Sequence, residues 1–192
     1  MKKLALLLAL VSPAAFALDF TGIQNWTGTG SNRAAFVLDF KDGSPALAWG
    51  FYFSGSVQGT DMLSAIDAAD PSLEIDISVN PAFPQFGLQV NGFSYNGRSQ
   101  SGFDLGSPGY WAYYTAENTT TQPTTWNYSN VGATDRTLAD GSWDGWTWAA
   151  APTYASSAPN ANIVAAAPVP EPATLAALAL GSLAIARRRH RA

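Results

Sequence analysis

Apolar positions between residues 18 and 150 fall into short runs with the period of strands rather than of long helices. Residues 34–40, AAFVLDF, are followed by Lys41-Asp42-Gly43-Ser44 and then by the aromatic run LAWGFYF. Asp-Gly between two apolar runs predicts a hairpin, because glycine readily takes the positive φ that a tight turn requires. The return strand, Ala46–Phe53, is apolar on both faces, which predicts a central place in a sheet. Leu73–Val79 alternates Leu, Ile, Ile and Val with acids or serine, so one face is expected inside and the other in water. Further strands are predicted at 86–95, broken at Asn91-Gly92, and at 110–114, 125–128 and 142–148.

One segment departs from this pattern. In residues 59–71, Met62, Leu63 and Ile66 lie on one helical face, Thr60 is placed to cap, Asp61 lies in the first turn and Pro71 ends the run. A helix over about 60–70, packed on the sheet, is predicted. The expected fold class is β-rich α+β: an antiparallel sheet domain over 18–150 with one short helix. Residues 151–168, APTYASSAPNANIVAAAP, are uncharged and rich in Ala, Pro, Ser and Asn, and are read as a flexible stalk.

The two ends have a different pattern. Residues 1–17 combine Lys2 and Lys3, an apolar run too short for ~30 Å of hydrocarbon, and a small-x-small site at Ala15 and Ala17. They read as a signal peptide, cut after Ala17 by signal peptidase once the export machinery has engaged it. At the other end Val169, Pro170, Glu171 and Pro172 precede an apolar helix predicted over 173–186, about 21 Å long at 1.5 Å per residue. Arg187, Arg188, Arg189 and Arg191 follow and should stay on the cytoplasmic side, anchoring the topology.

These three parts, in this order over 169–192, resemble the PEP-CTERM sorting signal of Gram-negative bacteria. The resemblance implies exosortase, a membrane-embedded cysteine transpeptidase, as a partner. It also implies an inner-membrane-anchored precursor, release to the cell surface or extracellular space, and an association with exopolysaccharide or biofilm matrix. Pro170 and Pro172 lack amide donors and bias their neighbours toward extended backbone, which would keep the motif out of the helix and open to an enzyme.

Composition narrows the chemistry. Between residues 18 and 167 four basic and thirteen acidic residues leave a net charge of −9, which excludes binding to a phosphate backbone and so nucleic-acid partners. There is no cysteine, and the lone histidine, His190, sits in the arginine tail, so thiol nucleophiles, Ser-His-Asp triads and Cys- or His-ligated metals are excluded from the body. No Asp-x-Asp-x-Asp-Gly calcium loop is present. No cofactor, no metal and no enzymatic activity are expected.

Seven tryptophans are the main remaining resource. Trp111, Trp126, Trp143, Trp146 and Trp148, with Asp140, Asp144 and Asn127 as polar partners, could form a platform on which sugar rings stack; the competing reading is that they fill the core. Alternation along a strand over 142–148 places Trp146, Trp148 and Asp144 on one face and Trp143 and Gly145 on the other. The acid pairs Asp39 with Asp42 and Asp140 with Asp144 read first as turn chemistry. A hydrolase would need them ~5–9.5 Å apart across a cleft. Finally Gly59, Leu63, Ile66, Tyr110, Trp111, Leu138, Asp140 and Gly141 occur in an order similar to the β-grasp-like domain at the C-terminus of transcobalamin, which implies a related topology and a small-ligand-binding module as an alternative function.

Overall fold

The computed structural model describes residues 17–102 and 107–168. Ala15, the sorting motif from Val169 to Pro172, the helix expected over 173–186 and Arg187, Arg188, Arg189 and Arg191 lie outside the described residues.

The Lys41–Ser44 turn joins β2 (Asn32–Asp39) to β3 (Ala46–Phe53) as an antiparallel hairpin, with Lys41 and Gly43 at positive φ. β3 is central as expected. Its free edge takes two short parallel strands, β1 (Trp26–Gly28) at one end and β10 (Ile163–Ala165) at the other. β2 pairs in parallel with β9 (Ser142–Ala150), which pairs antiparallel with β7 (Gly109–Ala116), and β8 (Asn127–Tyr128) adds to β7. The sheet is therefore mixed, which corrects the antiparallel expectation. A parallel β2–β9 pair needs a long crossover, and the crossover carries the rest of the fold.

That crossover contains α1 (Gly59–Ala69) and a second, antiparallel sheet of β4 (Leu73–Val79), β5 (Leu88–Tyr95) and β6 (Arg98–Ser101). α1 buries Met62, Leu63 and Ile66, as their spacing requires. Its N-cap is Gln58, two residues before the Thr60 predicted, because the Asp61 carboxylate reaches back to accept the Gln58 N–H at 2.8 Å. Asn91-Gly92 bends β5 without breaking it. Asp76 pairs with Gly92 but Ile77 pairs with Val90, so Asn91 is the extra residue of a bulge.

Both faces of the large sheet are covered. One carries Phe36, Leu38, Trp49, Phe51, Trp111, Tyr113, Trp146 and Trp148 against α1 and the small sheet. The other carries Ala35, Val37, Ala46, Ala48 and Trp143 under Phe20, Ile23 and Ile163. This two-sided burial is why β2, β3 and β9 are apolar throughout.

Ile163 belongs to the segment expected to be a flexible stalk, and the structure corrects that expectation. Asn160 donates its N–H and side-chain amide to Asp39 Oδ2 at 2.9 and 3.1 Å, and Thr147 Oγ1 donates to Ser157 O at 2.8 Å. Lys41 Nζ and Gln122 Nε2 donate to the carbonyls of Ala158 and Ala161, each at 2.7 Å. Ala166 is fully buried, its N–H on Ala48 O at 2.9 Å. The segment builds no core of its own, but its small residues fit against the outer face of the sheet. The folded body thus reaches Ala167.

Candidate functional site

The predicted platform residues are placed by β7, the segment before β8, and β9. Trp111, Trp143, Trp146 and Trp148 are all buried, between 0 and 7 % exposed, and Trp126 is partly buried. A flat, solvent-facing sugar platform is therefore excluded for these four, because a ring that is already covered offers no face to stack. Trp143 stacks on Phe20 at 5.2 Å between ring centroids and Trp146 on Tyr113 at 4.4 Å. Trp126 and Pro159 lie over Gly145, where a Cβ would come within 2.6 Å of Pro159 Cγ and 2.9 Å of the Trp126 ring. The alternation assigned to β9 holds: Asp144 shares its face with Trp146 and Trp148.

The acids are engaged in structure. Asp42 accepts the Ser44 N–H at 2.9 Å, which, with Arg98 nearby, holds its carboxyl below the usual range. Asp39 is buried, paired with Lys41 Nζ at 3.0 Å as well as with Asn160. Asp140 accepts the Arg33 N–H at 2.8 Å, whereas Asp144 faces the core, so the pair is not poised across a shared cleft. Asn127 is exposed on β8.

Sequence reasoning missed the group around Asp144. Tyr113 donates its hydroxyl to Asp144 Oδ2 at 2.6 Å, and Arg136 Nε donates to Oδ1 at 3.2 Å. Arg136 also pairs with Glu117, whose other oxygen accepts from Ser142 Oγ at 2.7 Å. Burial drives the Asp144 carboxyl up to about 6, against the opposing pull of Arg136 and the hydrogen bond from Tyr113. Burial also pushes the Tyr113 hydroxyl well above its ordinary value, with Asp144 adding to the effect, so it acts as a fixed donor. Arg136 is shared between the two carboxylates, and none of the four side chains lines the cleft described below. Their role is to tie β7, β9 and the 117 and 136 loops together. The signal was in the sequence, since Asp144 on the Trp146 face needed a partner and Arg136 was one of only four basic residues in the body.

An opening does exist beside this group. A cleft of about 560 Å³ lies where β5 faces the edge of the large sheet, bounded by the 129–135 loop and by Thr60 at the start of α1. Trp111 and Trp146 line it together with Val90 and Ala133. Phe86, Leu88, Tyr128 and Val131, 47 to 63 % exposed, also line it and make an apolar mouth. Among the described residues, no group of three or more His, Cys, Asp or Glu side chains is placed to hold a metal. Nor is any described helix long and apolar enough to cross a membrane.

What the fold defines is an acidic, two-sheet domain closed on both faces, whose last described residues are bonded to it: Asn25 Nδ2 donates to Ala167 O at 3.2 Å. A family model described as the PEP-CTERM protein-sorting motif matches residues 168–191, starting one residue later. The tail carries that sorting motif, consistent with an exosortase substrate, and the motif implies an exported protein sorted to the cell surface with processing by exosortase. Neither curated proteins nor solved structures returned a match to the chain. The similarity to the transcobalamin C-terminal domain is not confirmed by these comparisons.

Proposed function

We propose that this chain is a non-catalytic exported protein, held briefly in the inner membrane by its tail, then released by exosortase to the cell surface or extracellular matrix, where it associates with exopolysaccharide. The supporting observation is the junction. A sorting motif begins at residue 168, immediately after a body in which Asp39, Asp42, Asp140 and Asp144 are taken up in turns, backbone hydrogen bonds and the buried Arg136 group. Without a slack stalk, the membrane-embedded processing enzyme meets the folded body at the membrane surface. The net negative body then leaves freely from anionic lipid headgroups once cut. The test is fractionation of an exosortase-bearing host expressing the full chain or a chain ending at Ala167. The full chain is expected in the matrix fraction, released by treatments that strip polysaccharide, with the truncated chain free in the medium or periplasm. An identical distribution of both would overturn the proposal.

A further inference from the structure

The cleft between the sheets contains two polar groups that the fold leaves without partners. Trp146 and Gln89 both line it, at 6 and 9 % exposure. Neither Trp146 Nε1 nor Gln89 Oε1 makes a hydrogen bond. This is not the habit of the domain. The indoles of Trp49, Trp111 and Trp143 donate to Asp70 Oδ2, Gln100 O and Thr119 O at 2.9 to 3.0 Å. The other end of the Gln89 amide is well held, donating to Phe83 O at 2.9 Å and Gly87 O at 3.3 Å, so Oε1 has a fixed direction. A buried donor and a buried acceptor left open in a closed core carry a desolvation penalty with nothing to offset it. In the wall of a cleft they are the places where a ligand completes the structure.

Their chemistry restricts that ligand. It must offer an acceptor to an indole N–H and a donor to an amide oxygen, which a hydroxyl group does with one atom and neighbouring hydroxyls do with two. It must also present apolar surface to Trp111, Val90 and Ala133, and to Phe86 and Leu88 at the mouth. It should not be anionic, because the body carries −9 and Asp135 lines the same cleft. A volume of about 560 Å³ lies within the ordinary range for small-ligand sites.

We infer that the cleft between β5 and the β7–β9 edge is a binding site for a neutral sugar unit, with Trp146 Nε1 and Gln89 Oε1 as its polar contacts. The exposed Phe86 and Leu88 close over the ring from outside. This deepens the exopolysaccharide reading and rests on it for the choice of a sugar over other hydroxyl-bearing ligands.

The experiment is a titration of the full processed protein, labelled at its indole nitrogens, with maltose, cellobiose and lactose. A uronic-acid disaccharide and an N-acetylated dipeptide amide serve as comparison probes. Binding of at least one neutral disaccharide should move the Trp146 indole resonance in a saturable way and leave that of Trp143 in place. Phe86→Ala, at a side chain 63 % exposed, should keep the melting temperature and weaken binding by roughly tenfold. Gln89→Leu should weaken it by at least as much. No saturable Trp146 shift with any neutral disaccharide, a shift only with the dipeptide or the uronic acid, or binding that Phe86→Ala leaves unchanged would each overturn the inference. Matrix localisation with no Trp146 shift would sink the sugar site alone. A Trp146 shift in a protein that never reaches the matrix would sink the proposed function and leave the site.

Discussion

Asp144 shows how a single carboxyl can oppose the general trend of an acidic protein. Its folded value is about 6 against an ordinary 3.8, so the folded state binds its proton more tightly than the unfolded chain does. Between those values stability from this group rises as pH falls and is lost as pH rises through about 6. Asp42 acts in the opposite sense: its lowered carboxyl contributes above its ordinary value and is lost on acidification, weakly because it is exposed. Asp144→Asn should therefore flatten the pH dependence of stability between about 4 and 6. Carbon-detected carboxyl titration should give a midpoint near 6 for Asp144; a midpoint at the ordinary value would show that burial does not dominate. The tryptophans provide a second test at this scale. Trp143 is fully buried and stacked on Phe20, so Trp143→Ala should cost about 3–5 kcal/mol in chemical denaturation. A cost below about 1 kcal/mol would mean that the ring is dispensable and would reopen the surface reading. Gly145→Ala should destabilise by about 1–3 kcal/mol, because Pro159 and Trp126 leave no room for the added methyl.

At the scale of elements the C-terminal segment is the decisive piece. A chain ending at Ala150 loses Ile163 from the outer face and Ala166 from the core on the α1 side, and the Asn160 bonds to Asp39 with them. It leaves a buried carboxylate with only Lys41 and its own turn as partners. Residues 18–167 should melt cooperatively, and residues 18–150 should melt at least about 10 °C lower or fail to fold, as removing several kcal/mol of burial and bonding implies. Equal melting temperatures would restore the stalk. The contrast also shows which parts of the fold were legible. β2, β3, β4, α1, β7 and β9 announce themselves because each has its own apolar period or a turn signal at its end. β1 and β10 carry no such pattern: they are strands only because the edge of β3 offers unpaired backbone groups. The parallel β2–β9 pair was illegible for a related reason, since side-chain alternation is the same for either strand direction. In the site, the face shared by Asp144, Trp146 and Trp148 could be read from β9 alone. The partner of Asp144 and the cleft could not, because Arg136, Glu117 and the Phe86–Gln89 stretch come from three separate segments.

Across the whole molecule the chemistry is divided by place. The body between residues 18 and 167 is acidic, and the ends carry six of the ten basic residues; in the proposed function the ends direct export and the body is the cargo. Its core draws on aromatic burial, with no cysteine to cross-link, and folding should be indifferent to the redox state of the compartment it enters. The central claim, that the motif at 168–191 is read and cut during export, is tested most directly by intact mass. The protein is purified from a host with exosortase and from the same host lacking it. In the first, the mass should correspond to a chain that starts at Leu18 and has lost the apolar and arginine-rich tail. In the second, the tail should remain and the protein should stay with the inner membrane. A protein recovered from the surface of the exosortase-bearing host with Arg191 still attached would contradict the account.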